Sequence, residues 1–136
     1  MNYTDAFAAY GATLRNVQWS VSAFSKDGRL VVCLWENYLK PGRERATMEY
    51  NDMLSTWLGN AHGRNEFSEH LRIAKSRNLD VLLVIAHPVS PSDKEQVGRV
   101  GDESTINKTF SVKENVIGTL EEYDGNALRI VFRRAA

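Results

Sequence analysis

The sequence predicts a single α+β domain built on a curved, mixed or mainly antiparallel sheet with two or three flanking helices. Strand-like runs flank Asp27-Gly28 and again Asp124-Gly125, turns that tolerate positive backbone angles, so two antiparallel hairpins are expected. Apolar residues at three- and four-residue spacing lie between them, as amphipathic helices require. Val81 to Ala86 is a short branched apolar run, with the length and composition of a central strand. At 136 residues and 43% hydrophobic side chains, the chain can close one core and is too short for two ordinary domains. Residues 1–136 are therefore read as one compact domain.

In chain order, Thr4 can cap a helix over residues 4–15, with Phe7, Tyr10, Gly11 and Leu14 near one face. Gln18 to Phe24 alternates, which predicts a strand with Trp19, Val21 and Ala23 on one side. Arg29 to Glu36 follows as its hairpin partner. Residues 37–46 hold Pro41, Gly42 and the charged run Arg43, Glu44, Arg45, and read as a solvated connection. Tyr50, Met53, Leu54, Trp57 and Leu58 share helical spacing, which predicts a helix over 50–58. A second helix over 65–77 turns Phe67, Leu71 and Ala74 inward and Arg72, Lys75 and Arg77 outward. After the strand at 81–86, residues 88–108 are rich in Ser, Pro, Asp, Gly and Lys and read as a long surface loop, a candidate for recognition. Residues 116–123 and 127–133 form the closing hairpin. The chain carries no internal repeat.

Seventeen basic side chains balance seventeen acidic ones, which removes bulk electrostatic attraction to nucleic acid or to an anionic membrane and leaves only local patches. Cys33 is the single cysteine, so neither an intrachain disulfide nor a cysteine-based metal cluster is encoded. The apolar stretches are shorter than a membrane span, and no basic targeting cluster stands near Asp5; a cytoplasmic protein without membrane contact is expected. No feature assigns an oligomeric state.

The search for chemistry gives no catalytic centre. His62, His70 and His87 lack zinc-motif spacing, Cys33 sits beside Trp35 on a strand, and no Gly-x-Ser-x-Gly elbow surrounds a serine. Glu44, Glu49 and Asp52, with Glu66 or Glu69, are the one carboxylate set that could converge on magnesium, which makes a metal-dependent nuclease the enzyme alternative. The glycines form no dinucleotide or phosphate-loop fingerprint, and no cofactor is expected.

Aromatic surface is the stronger asset. Trp35 and Tyr38 end a strand and enter a polar loop, and Trp19 lies on the neighbouring run. Such rings can stack on unpaired or flipped bases. Arg43, Arg45, Arg72 and Lys75 are the expected cationic rim for phosphate placement.

A resemblance adds to this. Asn16-Val17-Gln18-Trp19-Ser20, Asp27-Gly28-Arg29 and Val31-Val32-Cys33-Leu34-Trp35-Glu36 resemble an uncharacterised domain found alone or beside HNH-type endonuclease domains. The likeness continues through Glu69-His70-Leu71-Arg72, Val81-Leu82-Leu83-Val84, Val116-Ile117-Gly118-Thr119-Leu120 and Arg129-Ile130-Val131-Phe132-Arg133. These domains are similar to the wider PUA, EVE and SRA-like group. The resemblance implies a PUA-like pseudo-barrel and a reader of modified bases in restriction, defence or phage counter-defence. It does not carry over the HNH motif, which the sequence lacks, and it matches Trp19, Trp35 and Arg72 only to aromatic or basic positions. The sequence thus predicts a non-catalytic module that recognises DNA or RNA. A protein-binding regulator or inhibitor with a protein partner is the alternative.

Overall fold

The computed structural model describes residues 1–135. Its elements are α1 (Tyr3–Ala8), β1 (Ser22–Phe24), β2 (Leu30–Trp35), β3 (Lys40–Pro41), β4 (Met48–Met53), α2 (Ala61–Arg77), β5 (Asp80–Pro88), α3 (Pro91–Gln96), β6 (Lys108–Val112), β7 (Val116–Tyr123) and β8 (Ala127–Arg134). Single 3-10 turns occupy Glu36–Tyr38, Leu54–Thr56 and Glu103–Thr105. The eight strands form one mixed sheet in the order β1-β2-β5-β7-β8-β4-β3, with β6 pairing β5 beyond its contact with β7.

That sheet is open, which overturns the expected PUA-like pseudo-barrel: β1 and β3 end the path and do not pair with each other. The physical reason lies in the central strands. β2 and β5 pair in parallel, Leu30 to Val81 through Trp35 to Ala86, and such a pairing needs a crossover, here the one that contains α2. Both strands are apolar on both faces. Leu30, Val32, Val81 and Leu83 pack with Phe67, Leu71 and Ala74 of α2. Val31, Leu82 and Val84 pack on the opposite face with Ala6 and Phe7 of α1. Strands that bury both faces need a layer on each, and a barrel offers a single interior. Each fully buried Leu or Phe here contributes roughly 1.5–3 kcal/mol.

The two hairpins form where the turns predict them, Ser22 opposite Val32 and Gly118 opposite Phe132. Elsewhere local chemistry redirects the chain. Gly11 takes φ +73° and ends the first helical segment well before residue 15. At residues 16–20 the side chains compete with the ladder: the Gln18 amide donates to Asn16 Oδ1 (2.9 Å) and the Asn16 amide to Ser20 Oγ (3.1 Å). The strand expected from Gln18 therefore starts only at Ser22, and Trp19 leaves the sheet.

The helix expected over 50–58 is instead β4 followed by a 3-10 turn. Tyr50 pairs opposite Ile130 and Asp52 opposite Leu128, and the turn then returns Leu54 to the core at 4% exposure. A strand that alternates and then tightens reproduces helical spacing over so short a run. Between residues 88 and 108, Ser90 and Asp93 form a reciprocal capping box with Pro91 in the first turn, and this nucleates α3. α2 is capped at its N-terminus by Asn60, whose side chain accepts from the Gly63 amide, and at its C-terminus by Asn78; both asparagines are left-handed. Among the described residues, no helix is long and apolar enough to cross a membrane.

Candidate functional site

The departures from regular structure converge on one place. The turn that expels Trp19, the end of β2 with Trp35, the 3-10 turn with Tyr38, the segment from β4 to Asn60 and the loop at 98–104 together wall a recess of about 800 Å³. Small-molecule sites typically span roughly 300–1,000 Å³. All three tryptophans line it, and each is half-buried. Trp57 stacks on Phe67 with ring centroids 5.8 Å apart, and Trp19 lies 5.6 Å from the His62 ring. Tyr38 keeps 38% of its surface exposed.

The walls are tied to one another. Asn60 Nδ2 donates to the Trp19 carbonyl (3.0 Å), linking the first wall to the start of α2. Gly59 lies so close to Gly101 that a Cβ there would overlap the Gly101 carbonyl oxygen. Gly98 adopts φ +77° and abuts the Tyr38 hydroxyl, a left-handed conformation and a close approach that glycine allows. The recess is thus preformed by contacts between loops.

Its charged groups are mostly carboxylates. Asp52 Oδ2 accepts from Trp57 Nε1 (2.9 Å) and from the Tyr50 hydroxyl. Burial, followed by the Asp52 charge, raises the Tyr50 hydroxyl well above the usual tyrosine range. Burial also raises Tyr38, and the Glu103 and Asp52 charges add to it. Lys108 is the one cationic side chain of the lining. Its ammonium sits 5.4 Å from the Trp35 ring centroid and donates to the carbonyls of Ile106 (2.8 Å) and Glu103 (3.1 Å). Burial lowers its pKa. Cys33 also lines the recess, where desolvation pushes its thiol up to about 12. That shift favours the protonated thiol at neutral pH.

Of the residues expected to bind nucleic acid, Trp19, Trp35 and Tyr38 come together here; Arg43, Arg45, Arg72 and Lys75 do not. Arg43 and Arg45 are exposed between β3 and β4, where the Arg43 amide donates to Glu49 Oε2 (2.7 Å). Arg72 pairs with Glu69 one turn earlier on α2. Lys75 Nζ donates to the Glu121 carbonyl (3.0 Å). The sequence reading missed Tyr50 as a recess residue, took Asp52 for a candidate magnesium ligand and Lys108 for one of many rim cations, and placed Trp57 in a helical core stripe. Its candidate recognition loop does supply one wall, Gly98 to Ser104.

The proposed magnesium carboxylates are dispersed. Glu44 pairs with Arg133, Glu49 with Arg129 and Glu69 with Arg72. Among the described residues, no group of three or more His, Cys, Asp or Glu is placed to hold a metal ion. One arrangement was not legible in the sequence at all: His87 stands between Glu36 Oε2, 2.6 Å from Nδ1, and Ser111 Oγ, 2.6 Å from Nε2. These three residues lie outside the recess. A second depression of about 660 Å³ between β4 and the β7-β8 hairpin is lined by polar residues such as Glu122, Asp124 and Arg129 and carries one aromatic ring, Tyr123.

Comparison of the chain with protein-family models, with curated proteins and with solved structures returned no match. The recess therefore stands on its own geometry.

Proposed function

We propose that this chain is a non-catalytic recognition module whose recess receives a nucleobase, modified bases included, from an unpaired or extruded nucleotide of DNA or RNA. The observation that carries this reading is the convergence of Trp19, Trp35 and Trp57 on one recess, each partly exposed to solvent. A flat ring entering between such faces exchanges water for stacking, worth about 1–3 kcal/mol per base. Gln18, Asn51, Asn60 and Ser104 in the lining offer donors and acceptors to a base edge. Phosphate contacts are secondary, because the four cations expected to make them lie away from the lining.

Tryptophan fluorescence quenching, titrated with nucleosides and with short single-stranded DNA and RNA carrying modified and unmodified bases, tests the reading. Saturable quenching that Trp35→Ala weakens at least tenfold is expected, with a shallow dependence on salt because few counterions are released. Absence of quenching by every nucleoside and oligonucleotide at low salt overturns it.

A further inference from the structure

The charge distribution of the recess narrows the ligand further, and this step rests on the base-reading proposal. Its lining carries three carboxylates, Asp52, Asp102 and Glu103, against the single ammonium of Lys108. Among the described residues, none of these three carboxylates forms an ion pair with a lysine, arginine or histidine. Neutral donors hold them instead. Asp52 takes Trp57 Nε1 and the Tyr50 hydroxyl, Glu103 Oε2 takes the Gly98 amide (3.0 Å), and Asp102 Oδ1 takes the Ser104 amide (3.1 Å). Lys108 does not offset them by direct pairing, since it is committed to two backbone carbonyls. The same Lys108 shows that a cation is accommodated at an aromatic ring of this recess, 5.4 Å from the centre of Trp35.

We infer that the recess selects a positively charged base: a nucleobase alkylated on a ring nitrogen, so that the alkyl group fixes a cation on the ring. A neutral base gains stacking and edge hydrogen bonds. The alkylated base adds a cation–π attraction to the tryptophan faces and a Coulomb attraction to three carboxylates that form no direct ion pair and that the one ammonium, Lys108, only partly offsets. Free phosphate and the sugar-phosphate backbone gain nothing from this lining, in keeping with the distant positions of Arg43, Arg45, Arg72 and Lys75. Base stacking, cation–π and carboxylate attraction act together on one flat ligand, whereas an alkylated ammonium without a ring would use the last two without base stacking.

Calorimetric titration of the full chain at neutral pH with N1-methyladenosine against adenosine, and N3-methylcytidine against cytidine, tests the inference; a trimethyl-lysine peptide serves as a ring-free cation. Each charged nucleoside is expected to bind at least about tenfold more tightly than its neutral parent, as a cation–π contribution added to stacking requires. That preference should shrink several-fold in Glu103→Gln and in Asp102→Asn, two independent variants that keep the hydrogen-bond acceptors. Equal affinity for charged and neutral partners overturns the charge selection and leaves the base-reading proposal standing. Binding of the trimethyl-lysine peptide with no nucleoside binding overturns both and makes the recess a peptide cage.

Discussion

Trp57 Nε1 donates to Asp52 Oδ2 across 2.9 Å, and this bond sets the angle at which the indole meets Phe67 and the recess. The same oxygen accepts the hydroxyl of Tyr50, which is 3% exposed. One carboxylate thus positions two rings from neighbouring parts of the chain. Asp52→Ala leaves a buried hydroxyl and a half-buried indole N–H without their acceptor, at a cost of roughly 1.5–3 kcal/mol. Urea denaturation should show that loss, with a red shift of tryptophan emission in the folded state. Asp52→Asn, which keeps a carbonyl acceptor, should show the smaller effect.

The meeting of Gly59 and Gly101 gives a variant that separates the recess from the core. A methyl group at Gly59 runs into the Gly101 carbonyl oxygen, so Gly59→Ala must push the two loops apart. Nucleoside affinity should fall several-fold while α2 and its core contacts persist. The melting temperature should fall far less than in Phe67→Ala, a core truncation costing roughly 3–5 kcal/mol. Equal losses in the two variants would mean that the loop contact is part of the core.

The hairpins, the central strand and the second half of α2 were legible because turn chemistry and apolar period agree there. β4 was not, because Tyr50, Leu54 and Trp57 satisfy a helical period as well as a strand that ends in a 3-10 turn. The β2–β5 parallel join, which excludes the barrel, is a long-range pairing with no local mark. α3 did have a local signal, Ser90-Pro91-Ser92-Asp93, which composition obscured. At the site, Trp35 and Tyr38 were legible from their place at the end of a strand entering a polar loop. That the four cations lie away from the recess was not legible, because exposure is local, whereas their distance from it is set by the whole sheet. Asp52 and Lys108 carry no motif; only the fold brings them to the rings.

Glu49 gives the fold a pH dependence. Its carboxyl is held at about 2, first by the Arg129 guanidinium (Nε to Oε1, 2.9 Å) and then by the Arg43 amide. An unfolded glutamate titrates near ~4.3, so the folded value is depressed. The associated stability is fully present above the unfolded value and is lost as pH falls through the window towards about 2. The difference in unfolding free energy between the wild type and Glu49→Gln should therefore be constant near neutrality and shrink through that window. A difference independent of pH would show that the Arg129 contact does not perturb the carboxyl.

The Glu36–His87–Ser111 relay has the atom order of a hydrolase triad, with the serine at Nε2 and the carboxylate at Nδ1. Its backbone setting differs. A serine nucleophile at an elbow stands on a sharp, strained turn that exposes its oxygen, whereas Ser111 pairs opposite Ile85 within the β5–β6 ladder. The relay instead joins the end of β2 to β5 and β6 by side chains, where β6 has only β5 as a strand partner. Ser111→Ala should cost about 1 kcal/mol of stability, the usual net worth of a hydrogen bond. A fluorophosphonate probe should leave Ser111 unmodified in the folded protein, as mass spectrometry of the intact chain would show. Stoichiometric labelling of Ser111 that His87→Ala abolishes would reverse this assignment and make the relay a nucleophilic centre.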